Sequence, residues 1–174
     1  LQPRVADQPL KRLVSTTAVV LVALVSAATA SAGITQHATT ASYSLTLDIG
    51  PTAAMYTQAQ VKAKHITNGE VMLGGAMMST SMSAMKGETE RHLELHVYSR
   101  KTGAVVSNVM PEITLTDTTA MGMAAKLDVV SMEGITEGAS DYHYGNNVSL
   151  KLGDEYTVNA VVHGEKASFT FKAV

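Results

Sequence analysis

The chain has 174 residues, a formal net charge of −2 at pH 7 and no cysteine. Without cysteine, disulfides, thiolate ligands and a thiol nucleophile are all excluded. Without a basic excess, nucleic acid and anionic lipid are poor candidates for a partner.

Residues 1–32 read as a targeting segment. Lys11 and Arg12 form a short basic region, residues 13–28 carry no charge, and Ala30-Ser31-Ala32 supplies the small residues that signal peptidase accepts. The expectation is a cut after Ala32 and export to the periplasm, the cell envelope or the medium, with no membrane attachment once the segment is removed. A retained anchor is the alternative, although Ser, Thr and Ala make the second half only mildly apolar. Residues 33–174 suit one domain. They hold ten basic and fourteen acidic residues, a net charge near −4, together with all ten methionines and all six histidines of the chain. Tryptophan is absent and only eight aromatic residues occur in total.

From Tyr43 onward, apolar residues recur with period two between closely spaced turn signals, the pattern of short antiparallel strands. Strands are predicted over 43–49, 59–65, 70–77, 91–100, 112–117, 126–131 and 148–152. Two more follow around Tyr156, Val158, Ala160 and Val162, and around Ala167, Phe169 and Phe171. Gly50-Pro51, Asn68-Gly69, Lys101-Thr102-Gly103 and Gly138 mark turns, and Pro111 marks a strand start. Gly164-Glu165 predicts a tight hairpin with glycine first in the turn, and Gly153-Asp154 predicts another, so the last three strands should form a meander. Residues 79–90 read as a loop or a single helical turn. About nine strands in one domain predict an all-β fold, an immunoglobulin-like antiparallel β-sandwich without disulfides.

Within this frame, His92, Glu94 and His96 alternate with Leu93, Leu95 and Val97 and therefore project from one face of a strand. Successive same-face positions are about 7 Å apart, so one cation held here needs help from another strand. The same triplet also reads as the solvated face of an amphipathic strand. Asp141-Tyr142-His143-Tyr144-Gly145-Asn146-Asn147 places a histidine between two tyrosines whose rings would shield it, a good candidate ligand, and its glycine and asparagines suggest a tight turn with positive φ. Met72, Met77, Met78, Met82 and Met85 cluster just before the His92 strand, and Met132 ends a strand ahead of Glu133-Gly134. Thioether sulfur is a soft ligand suited to Cu(I), which makes the loop methionines Met82 and Met85 candidate ligands. Methionine is equally a core gap-filler, and Met72 reads that way. Met121-Gly122-Met123 forms a loop of its own, and His37, His65 and His163 read as surface residues. No G-x-S-x-G elbow, H-E-x-x-H or phosphate loop occurs, so catalysis and an organic cofactor are not expected.

His92-Leu93-Glu94 and the run from Asp141 to Asn147 resemble the H-L-E strand and D-G-P-H-Y-G-x-N loop of the periplasmic, iron-transport-associated Tpd family, immunoglobulin-like copper binders. The resemblance implies copper ligation by His92, Glu94 and His143, with a methionine completing the set. The family's Met-Pro-Met run has no counterpart, and Tyr142 stands in place of its proline. Arg100 to Val106 is similar to the corresponding turn of YtkA-like exported domains.

The reading that results is an extracytoplasmic protein that binds copper or another transition ion for transport, buffering or delivery. The site is expected at one end of the sandwich, on His92, Glu94, His96 and His143, with Met132, Met82 or Met85 as a soft ligand. The rival is a non-catalytic envelope interaction module that grips a protein partner through loops or a strand edge.

Overall fold

A computed structural model describes residues 33–75 and 87–174. The elements, in chain order, begin with β1 (Ile34–Thr39), β2 (Tyr43–Pro51), β3 (Met55–Thr57), the helix α1 (Gln58–Lys64) and β4 (Glu70–Gly75). They continue with β5 (Glu88–Ser99), β6 (Glu112–Asp117), β7 (Ala125–Lys126) and β8 (Val130–Gly134). A 3₁₀ turn (Gly138–Asp141) then precedes β9 (His143–Lys151), β10 (Glu155–Val162) and β11 (Glu165–Lys172). The predicted targeting segment, Met77, Met78, Met82 and Met85 lie outside the described residues. Among the described residues, no helix is long and apolar enough to cross a membrane.

Two sheets form an all-β sandwich. One has seven strands in the order β1-β2-β5-β9-β8-β4-β3, the other four in the order β11-β10-β6-β7. All pairs are antiparallel except β3 with β4. The alternation seen in the sequence decides which side chains meet between the layers. Leu45, Leu47 and Ile49 of β2, Leu93, Leu95 and Val97 of β5, and Tyr144, Val148 and Leu150 of β9 face Ile113, Val158, Ala160, Val162, Phe169 and Phe171 of the smaller sheet. Burying a side chain of this size contributes about 1.5–3 kcal/mol, so this interlayer core can hold the fold without a disulfide.

Several sequence expectations are corrected. Residues 59–65 do not extend a sheet: Gln58–Lys64 is helical. Thr57 caps it in a capping box with Gln60, and His65 closes it in the left-handed region at φ 51°. Ala, Gln and Lys are strong helix formers, and the alternation of Ala59, Val61 and Ala63 with longer polar residues mimics a strand over so short a span. Predicted strand 126–131 is two strands in different sheets, β7 and β8. The final meander is broken as well, because β9 belongs to the larger sheet while β10 and β11 belong to the smaller one. Period two shows that a strand has a buried face but not which layer holds it. In the β10–β11 hairpin the two loop residues are His163 and Gly164, at φ 47° and 81°, so glycine comes second, as a type I′ turn requires. The count of strands rises from about nine to eleven among the described residues, chiefly through the short β3 and β7 and through β1, which pairs along its length with β2.

Candidate metal centre

The larger sheet has a second face, turned away from the interlayer core. Cross-strand partners share a face, so the register fixes its occupants. Asp48 lies across from Glu94, His92 across from Asn147, Glu94 across from Gly145, Met132 across from His143, and Glu70 across from Gly134. His96 follows Leu95, the last residue of β5 paired with β9, and points to the same side as Glu94. The expectation of a site at one end of the sandwich is thereby corrected, since these residues lie on the outer face of the larger sheet. The strand face that could have been solvated is instead covered: His92, His96 and His143 are all buried.

Two local features bring groups over this face. The backbone of Ala53 donates to Asn147 Oδ1 at 3.3 Å and accepts from Asn147 Nδ2 at 2.9 Å, drawing the chain after β2 across β9. Gly134 has no side chain to obstruct Glu137 and Asp141, whose carboxylates occupy the space that a β-carbon there would need. The 3₁₀ turn therefore closes onto β8, and Asp141 is brought beside His143.

The three imidazoles cluster around His143. Ring centroids lie 5.6 Å apart for His92 and His143 and 5.4 Å for His96 and His143. Each ring is oriented in the same manner. His92 Nδ1 donates to Asn147 Oδ1 at 2.8 Å, His143 Nδ1 to the Asp141 carbonyl at 2.7 Å, and His96 Nδ1 to the Tyr142 carbonyl at 3.3 Å. An Nδ1 that faces a carbonyl oxygen carries a proton, which leaves Nε2 as the atom of each ring that can ligate. Anchoring one ring nitrogen to fix the other for a metal is the usual outer-shell arrangement.

Around these nitrogens stand carboxylates. His92 Nε2 is 3.9 Å from Glu94 Oε1, His96 Nε2 is 3.5 Å from Glu94 Oε2 and 3.7 Å from Asp48 Oδ2, and His143 Nε2 is 3.8 Å from Glu70 Oε2. Most of these separations exceed hydrogen-bond length, but they approach the edge of a coordination polyhedron: ligands about 2.0–2.2 Å from a tetrahedral ion are about 3.3–3.6 Å from each other. Among the described residues, three buried side-chain polar atoms have no hydrogen-bond partner, and they are Glu70 Oε2, His92 Nε2 and His143 Nε2. An unsatisfied buried polar atom costs about 1–3 kcal/mol, so three converging on one locality require an explanation.

The electrostatics agree. Burial pushes the Glu70 carboxyl up to about 7, with the nearby charges of Asp141 and Glu94 adding to the rise. Burial lowers His92 and keeps it neutral, the form that ligates. At Glu94 burial acts upward, but the hydrogen bond to His96 and the charges of the neighbouring imidazoles outweigh it and hold the carboxyl below its usual range. At His96 burial acts downward and is outweighed by the hydrogen bond and charge of Glu94, leaving that imidazole raised.

Of the residues singled out in the sequence, His92, Glu94, His96 and His143 are thus brought together, and Met132 is fully buried directly across from His143. Met72 pairs with Met132 on the next strand, whereas Met121 and Met123 are almost fully exposed. His37, His65 and His163 are exposed. Two expectations for the 141–147 run are corrected. Tyr142 and Tyr144 do not shield His143, because alternation sends them to the opposite face, where their hydroxyls donate to the carbonyls of Ser107 and Val106. Gly145, Asn146 and Asn147 do not turn; they continue β9, with Gly145 outside the positive-φ region. Glu70, Asp141, Asp48 and the orienting Asn147 were not singled out as ligands or supports. The first three are acidic residues without a local spacing signature, and Asn147 acquires its role only from the pairing of β5 with β9.

Fold and site together define a two-layer all-β protein with a histidine–carboxylate cluster on one outer face. No family model matches the chain, and no curated protein or solved structure matches it either.

Proposed function

We propose that this protein is a non-catalytic, extracytoplasmic binder of a divalent transition-metal ion, copper(II) foremost, that serves in transport, buffering or delivery. The observation that carries the reading is the convergence of the buried, unpartnered Nε2 atoms of His92 and His143 and Oε2 of Glu70 beside Glu94. A cation would satisfy all three and offset the burial, and the lesser carboxylate repulsion, that raise Glu70. The donors are nitrogen and oxygen, a set that suits divalent ions of the first transition row, among which copper(II) binds most tightly. Met132 is the soft group nearest in register to His143, and a copper(I) state would draw on it. An interaction module gives these rings no reason to share one locality, which favours the metal reading over that rival.

Export by the segment 1–32 and the assignment of the sandwich as immunoglobulin-like belong to the same proposal. The first rests on the charge and small-residue pattern, the second on a disulfide-free core between two antiparallel-rich sheets. The likeness of His92-Leu93-Glu94 and His143-Tyr144-Gly145 to the Tpd motifs is in keeping with both.

Calorimetric titration of the metal-free protein with Cu²⁺ at pH 7.5 and pH 5 tests the reading. Imidazole must be neutral to ligate, and Glu70, whose carboxyl burial pushes up to about 7, must give up its proton, so protons compete with the ion as pH falls. Affinity should drop by at least tenfold at pH 5. Equal affinity at both values would contradict binding through this set of titratable side chains.

A further inference from the structure

His92 and His96 stand four residues apart on β5, about 13 Å along an extended backbone, and among the described residues no group of mutually close donors contains both. One group is Glu70, His92, Glu94 and His143; the other is Glu94, His96, Asp141 and His143; within each, the donor atoms lie within 4.8 Å of one another. Glu94 belongs to both and turns a different oxygen to each side, Oε1 toward His92 and Oε2 toward His96. A carboxylate so placed can give one oxygen to each of two cations. His143 cannot act in this way, because its Nδ1 proton is held by the Asp141 carbonyl and only Nε2 remains, on the side of Glu70. The His96 side keeps Asp141, and the Asp48 carboxylate lies next to it, with Oδ2 3.7 Å from His96 Nε2.

We propose that the cluster holds two divalent transition-metal ions bridged by the Glu94 carboxylate. The inner ion sits on His92, His143, Glu70 and Glu94, and the outer ion on His96, Asp141 and Glu94, with the Asp48 carboxylate beside His96. Charge balance supports the pair. Once ionised, the four carboxylates of Asp48, Glu70, Glu94 and Asp141 supply the negative charge that two divalent ions require. Accessibility divides the two positions. The inner imidazoles are 0–1 % exposed, while the Asp48 and Asp141 side chains are each 31 % exposed. The outer position is therefore the one that exchanges its ion with solvent or with a partner, and the inner one retains its ion.

This inference rests on the metal-binding reading above, and the experiment separates the two. The metal-free full chain is dialysed to equilibrium against dilute copper sulfate, the copper held in excess of the buffer is counted by elemental analysis, and its electron paramagnetic resonance spectrum is recorded. Two ions per chain with a spectrum broadened by coupling between neighbouring Cu²⁺ centres are expected. His96→Asn should retain one ion with an isolated Cu²⁺ spectrum and an unchanged circular dichroism spectrum. One ion per chain in the wild type, or two that show no coupling, overturns the two-ion inference and leaves the single-ion site standing. No retained copper overturns both. Because the wild-type count and coupling decide the matter, the outcome does not depend on how well the variant folds.

Discussion

At Gly145 a β-carbon would run into the carbonyl oxygen of Leu93 on the adjacent strand, a backbone atom that cannot swing aside. The residue is glycine because β5 and β9 approach closely beneath the Glu94 side chain, not because the chain turns there. Gly145→Ala must separate the two strands that carry the histidines, and a loss of about 3 kcal/mol or more is expected in chemical denaturation, in the range of severe overpacking. A loss under about 1 kcal/mol would show that the strands can part freely. A second residue-scale prediction concerns Glu165, whose carboxylate accepts from the backbone amide of Ser42 at 2.9 Å. Hydrogen bonds from Ser42 and Thr40 hold its carboxyl down to about 2 from an ordinary 4.5. Its contribution is therefore present above pH 4.5 and is lost as pH falls from there toward 2. Glu165→Gln should lower the unfolding midpoint modestly at pH 7, with the difference from wild type shrinking through that window. A constant difference across it would contradict the assignment.

Among the elements, α1 is anchored mainly at its ends. It buries no residue, so its stability comes from the Thr57–Gln60 capping box, the left-handed closure at His65, and Lys62 and Lys64 in the last turn. Thr57→Ala removes an N-cap contribution of about 1 kcal/mol. The effect should appear as about fivefold faster hydrogen exchange in the α1 amides, with little change in the global unfolding midpoint. A matching fall in the global midpoint would mean that the helix is integral to the core. This element also marks a limit of the sequence reading. The T-x-x-Q signature was present at Thr57 and Gln60, yet alternating small residues between them and Lys64 read as a strand. Where one face of a strand is strongly apolar, as in β5, β10 and β11, alternation located the element well. It could not assign strands to layers, because partner choice depends on contacts distant in sequence. For the same reason His92, Glu94, His96 and His143 were legible as candidates from their residue types, while Glu70, Asp48, Asp141 and Asn147 emerge only once β2 and β9 flank β5 and β8 joins β4 to the same sheet.

On the scale of the whole molecule, the sandwich separates stability from chemistry by sheet face. The interlayer side of the larger sheet is aliphatic and aromatic, and its outer side gathers histidine and carboxylate. One consequence is that ligand binding should feed back on folding. A cation that binds only the folded protein adds about 2.7 kcal/mol at a free concentration one hundred times its dissociation constant. For a domain of this size that corresponds to a rise of roughly 5–11 °C in the thermal midpoint. Calorimetry with and without Cu²⁺ measures it, and an unchanged midpoint at saturating metal would contradict binding to the native state.

The most direct test is anomalous diffraction from crystals of the copper-loaded protein, collected at the copper edge. The strongest anomalous peak should fall about 2.0–2.1 Å from the Nε2 atoms of both His92 and His143. A peak at exposed His37, His65 or His163, with none between the two buried rings, would contradict the assignment of this sheet face as a metal centre.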